Sequence, residues 1–156
     1  MNVGLILEIT NLALTLAGND LAGTPQDDAT IANTLVTIVE EDPADENYAL
    51  LRENSKRLAA MRDPQSKPWR IVDLPTPGYV EKDGQRLPAS YANFYIANEV
   101  VVVPGFDHPN DVRARDILQR LFPTRRVVLW PALDLIWGLG AFHCITQQQP
   151  GLKEEG

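Results

Sequence analysis

The stretch Trp137 to Pro150, WGLGAFHCITQQQP, holds the chain's single cysteine, Cys144, beside one of its two histidines, His143. A thiol becomes a nucleophile when it ionises, and an imidazole titrates close enough to neutrality to move the proton. Free cysteine also packs as a small hydrophobe, so Cys144 reads as core as well as chemistry. Gly138 and Gly140 lead into the apolar run Ala141 to Ile145, and both let the backbone turn tightly and approach a neighbour closely. Packing is the favoured reading on residue type alone; the glutamines Gln147 to Gln149 argue the other way, because amide side chains have no reason to cluster at the edge of an apolar core. If the run is a strand, His143 and Cys144 point to opposite faces, which makes His143 a structural residue and not the base.

These residues carry a resemblance. HCITQQ after a glycine-rich turn is similar to the C-terminal end of agmatine deiminase and its guanidine-modifying relatives, and LPASYANFYIANEVVVVPGF, Leu87 to Phe106, resembles the same family in the same order. The acidic turn Asp107, His108, Pro109, Asn110, Asp111 fits too, and matches run from about Glu40 to Pro150. The resemblance implies a pentein fold in which Cys144 attacks a guanidinium carbon, with Gly138 and Gly140 at the substrate site. It also aligns GNDLAGTPQDDA, Gly18 to Ala29, with a segment that carries a general acid/base histidine and a guanidinium-orienting aspartate. Those positions fall on Thr24 and Gln26, while Asp27, one residue on, offers a carboxylate for a cationic substrate. A threonine hydroxyl does not titrate near neutrality, and a neutral amide cannot pair with a cation as a carboxylate does. The implied enzyme is therefore catalytically incomplete on its own, the alternative being a non-catalytic oligomeric binding module. Leu139 departs from the glycine series before the cysteine. Asp73, Asp111 and Asp134 sit at element ends, where acids normally cap or face water.

The elements that must position these residues follow from periodicity and punctuation. Val3 to Ala17 reads as a buried strand or two, with a helix as the alternative, and Gly18 to Ala29 as loop. Thr34 to Val39 is β-branched and apolar, hence a strand. Asp42, Pro43, Ala44 and Asp45 look like a helix start, with the helix running to about Met61 and burying Tyr48, Leu51, Leu58 and Met61. Trp69 to Leu74 is a strand, and Pro75 to Pro88 a linker or hairpin turning at Lys82, Asp83 and Gly84. Tyr91 to Ile96 and Val100 to Val103 read as a hairpin and Arg126 to Trp130 as a strand. Between them Asn110 to Phe122 reads as a helix, capped near Asp107 or Asn110 and burying Val112, Ile117, Leu118 and Leu121.

The expected fold class is α/β: about two ββαβ units of a pentein-type α/β propeller, truncated. The domain is single, 1–156, with a divergent segment 1–33, a first unit 34–75, and a second unit 87–150 whose last strand bears Cys144. Two such units leave apolar sides uncovered, so a homodimer is expected. A net charge of -7 disfavours nucleic acid and weakly favours a cationic partner, though for a charge of this size solubility is the better reading; the small cationic guanidino ligand is what the resemblance implies. The segment Val3 to Ala17 lacks a basic start and is interrupted by Glu8 and Asn11, so no membrane anchor is expected. One cysteine fits a reducing cytoplasm. One cysteine and two histidines are too few for a zinc site, and no cofactor is expected.

Overall fold

Two βαβ crossovers organise the chain. In the computed structural model the described residues are 35–40, 43–62 and 66–147. Strand β1 (Leu35–Glu40) pairs in parallel with β2 (Arg70–Pro75), in register from Leu35 opposite Arg70 to Glu40 opposite Pro75. The connection between them is helix α1 (Tyr48–Ala60), since parallel neighbours cannot be joined by a tight turn. The second crossover repeats the plan. Strand β6 (Val100–Gly105) pairs in parallel with β7 (Arg126–Pro131) through helix α2 (Asn110–Leu121). Before it, the short β5 (Tyr95–Ile96) runs antiparallel to β6, with Ala97 N–H donating to Val100 O at 2.8 Å across the turn. The order is therefore β5-β6-β7 in one sheet and β1-β2 in another. Mixed α/β architecture is what the sequence led us to expect.

Helix α1 begins five or more residues later than Asp42 and Pro43 suggest, because the acid at its approach is engaged elsewhere. The Asp45 carboxylate accepts from Asn47 N–H at 2.9 Å and from Arg86 at 2.7 Å, so residues 43–47 turn before the helix starts. Leu51 is buried as expected, but Met61 is half exposed, lying past the helix end in extended backbone. Helix α2 buries Ala114, Leu118 and Leu121, spaced four and three residues apart on one stripe. Val112 lies two positions from Ala114, off that stripe, and is exposed, contrary to expectation. Neither Asp107 nor Asn110 caps the helix; Pro109 is at the cap without a side-chain bond. Instead Asp111 accepts from the backbone N–H of Phe106 at 3.1 Å and His108 at 3.4 Å, and from the Tyr91 hydroxyl.

Helix α2 packs on β7, β6 and also on β2, which ties the two sheets together. Asn110 Nδ2 reinforces the tie by donating to Thr76 O at 2.8 Å. The core gathers around Leu74, Tyr91, Val101, Val103, Leu118 and Ile136, all fully buried, with Tyr91 against Phe106 and Phe94 against Phe122. The expected hairpin is present as β3 (Glu81–Lys82) and β4 (Gln85–Arg86). Asp83 and Gly84 both have positive φ (53° and 75°), the two-residue turn whose twist suits a hairpin. Among the described residues no helix is long and apolar enough to cross a membrane.

Candidate active site

After β7 the chain leaves the sheet. Ala132 N–H still reaches Gly105 O at 2.9 Å, then a short 3-10 turn, Ile136–Gly138, carries it away. Leu139 follows with φ of 66°. The tight reversal expected of the glycines is thus made by a leucine, in a conformation that crowds Cβ against the following carbonyl and costs roughly 1 kcal/mol. Gly140 has a different task. A Cβ there would lie 2.7 Å from Cys144 Cβ and 3.0 Å from its Sγ, so only the missing side chain lets the two stretches meet. Gly138 faces open space.

Cys144 therefore sits in a turn, 142–145, and not on the strand the sequence suggested. The physical reason is that its neighbours' backbone groups are taken by side chains and by single backbone contacts, His143 N–H donating to Asn93 O and Thr146 N–H to His143 O, each at 3.3 Å, and not by a ladder. Thr146 Oγ1 donates to Phe142 O at 2.7 Å, and Asn93 Oδ1 accepts from His143 N–H at 2.9 Å and Cys144 N–H at 3.3 Å. The same Asn93 donates from Nδ2 to Cys144 Sγ at 2.9 Å. One carboxamide thus holds the turn with its oxygen and meets the sulfur with its nitrogen. Asn93 is free to do so because the expected strand Tyr91 to Ile96 pairs only at Tyr95 and Ile96; Asn93 itself closes a turn, its N–H donating to Ser90 O.

Cys144 is exposed. Among the described residues the hydrogen bond to its sulfur comes from a carboxamide and not from an imidazole. His143 is half-buried, and desolvation lowers its pKa below the ordinary histidine value, which favours the neutral ring. Strand alternation no longer bears on which way it points, since 142–145 is a turn.

The remaining candidates separate cleanly. Asp111 is occupied by Tyr91 and two backbone amides, and burial, with that carboxylate as acceptor, pushes the Tyr91 phenol up. Asp73 and Asp134 are exposed. His108 is part-buried at the start of α2, its Nδ1 accepting from Asn110 N–H at 3.1 Å. Asp27, Thr24 and Gln26 lie outside the described residues. Among the described residues no cluster of three or more His, Cys, Asp or Glu could hold a metal.

Asn93 is the residue that sequence reasoning passed over, although it stood in plain view as the polar member of the apolar run Tyr91 to Ala97. Trp137 and Lys82 were missed as a pair: Lys82 Nζ stands 5.0 Å from the centroid of the Trp137 ring, bringing the β3-β4 hairpin over the segment that leads to Cys144.

The chain is similar in sequence and in fold to known proteins. The agmatine deiminases of Pseudomonas syringae and Pseudomonas fluorescens are each 36% identical over 128 residues, covering 70% of this chain and 35% of the relative. The solved structure of the agmatine deiminase of Enterococcus faecalis superposes with a TM-score of 0.73 at 29% identity, covering 77% of this chain and 38% of that one. The chain thus spans about a third of the length of the curated relatives it matches. The family model for Porphyromonas-type peptidyl-arginine deiminases matches residues 28–150, a range that includes both Asn93 and Cys144. This chain belongs to the Porphyromonas-type peptidyl-arginine deiminase family.

Proposed function

We propose that the chain is an agmatine deiminase-like protein whose Cys144 is the nucleophile towards a small cationic guanidino ligand, and that it does not complete turnover by itself. The observation that carries this reading is an exposed sulfur that accepts from Asn93 and packs closely against the bare Cα of Gly140. The relatives it matches are named as agmatine deiminases, which supports the ligand class. Such a reaction joins the thiolate sulfur to the guanidinium carbon and releases ammonia, which needs a proton donor; water then replaces sulfur, leaving a ureido product. Thr24 stands where the resemblance expects the histidine for those proton transfers, and burial lowers the pKa of His143, which works against its serving as a protonated donor. Gly138, Gly140 and Asp27 are the positions proposed to meet the ligand. The described residues are proposed to form about two ββαβ units of a pentein-type propeller. Its exposed Trp130, Leu133, Leu139 and Ile145 favour a second reading alongside the first, association into a homodimer.

The test uses two alkylating agents with the same leaving group, cationic 2-chloroacetamidine and neutral 2-chloroacetamide. The ratio of their second-order rates at Cys144 is expected to exceed that for free cysteine at pH 7 severalfold, and labelling is expected to vanish in Cys144→Ala. A ratio equal to that of free cysteine would mean that the site does not select a cationic ligand.

A further inference from the structure

The β3-β4 hairpin carries two cations, each over an aromatic ring. Arg86 lies 5.1 Å from the Tyr79 ring centroid, but it is also pinned by Asp45 at 2.7 Å and Glu46 at 3.0 Å, so it is fixed at the base of the hairpin. The base is closed further by Leu87 N–H donating to Val80 O at 2.8 Å. Lys82 is placed differently. It is exposed and lies next to the Asp83-Gly84 turn, with its ammonium over Trp137. Trp137 is 44% exposed and sits three residues before Gly140, the residue whose backbone abuts Cys144.

We propose that Lys82 is a resident cation on the face of Trp137, and that a guanidinium-bearing ligand reaches that face only by displacing it. The proposal rests on the guanidino-ligand reading above and adds the regulation of that site. An aromatic face attracts cations through its quadrupole, and a planar guanidinium stacks on it better than a compact, strongly hydrated ammonium. One ring face holds one cation, so ligand and lysine compete. A neutral ligand gains nothing from removing the lysine, so the competition is visible only with charged probes. The anchoring of Arg86 matters here, because it lets the Lys82 side chain swing aside without the hairpin coming loose.

The two chloroacetyl probes test the proposal on the full chain. Lys82→Met is expected to raise the amidine-to-amide rate ratio at Cys144 roughly two- to fivefold, the strength of an exposed cation–ring contact. Taking the ratio cancels any change in thiol reactivity common to both probes. In a Trp137→Leu background the Lys82→Met step is expected to leave the ratio unchanged, and in a Trp137→Phe background to raise it by a smaller factor. An unchanged ratio in Lys82→Met overturns the proposal. So does the same rise in the Trp137→Leu background, which would mean simple charge repulsion by Lys82 without the ring. The guanidino-ligand reading is judged on the parent ratio against free cysteine, and the Lys82 proposal on the step between variants, so each fails separately.

Discussion

At Gly140 the absence of one methyl group decides where the sulfur of Cys144 can be. Gly140→Ala would force a Cβ to within 2.7 Å of Cys144 Cβ, and the contact is with a short side chain that cannot swing far. We expect this variant to lose about 1–3 kcal/mol of stability in urea unfolding, the usual range for an overpacked contact, and to alkylate at Cys144 with an altered rate. Leu139 makes the opposite prediction. It holds a left-handed φ of 66° while more than half exposed, so its side chain contributes little burial to offset the strain. Leu139→Gly should stabilise the fold by up to about 1 kcal/mol, read as a higher denaturant midpoint at unchanged slope. The close approach of Gly140 to Cys144 was foreshadowed in the sequence, because Cys144 is the chain's single cysteine and a glycine stands four residues before it. Asn93 was not, because its two hydrogen-bonding ends meet a turn 51 positions away, and no local pattern reports such a contact.

At the scale of elements, periodicity located both helices and most strands, since each rests on a stripe or alternation that the core enforces. Its errors fall where a side chain competes with the backbone. The start of α1 slipped to Tyr48 because Asp45 is committed to Arg86 and Asn47, and the last strand dissolved into a turn because Asn93 and Thr146 capture its amide and carbonyl groups. Neither event leaves a mark on hydrophobic spacing. The Asp45 tie has a pH signature. Partial burial pushes the carboxyl up, but hydrogen bonds from Arg86 and the Asn47 amide, with the Arg86 charge, outweigh it and leave the pKa below its ordinary value of 3.8. The folded state therefore favours the ionised form. The stabilisation is complete above that value and is lost as pH falls through the depressed one. Asp45→Asn should cost about 1 kcal/mol at pH 7, and the difference from the parent should shrink between pH 4 and pH 2 in urea titrations monitored by circular dichroism.

Among the described residues, two βαβ crossovers share helix α2 as their joint, and Trp130, Leu133, Leu139 and Ile145 remain exposed. A chain with several large apolar side chains uncovered is expected to self-associate. Sedimentation velocity at tens of micromolar should give the mass of a dimer of the 17.3 kDa chain, and Trp130→Glu with Ile145→Glu should shift it towards the monomer. A single-chain mass across that range counts against association. The central claim concerns chemistry, namely that the sulfur nucleophile is present and the proton transfers that complete hydrolysis are not. Continuous measurement of ammonia from agmatine at neutral pH tests it most directly. The account predicts no sustained release above the Cys144→Ala control at any enzyme concentration; steady, Cys144-dependent release over many turnovers would contradict it.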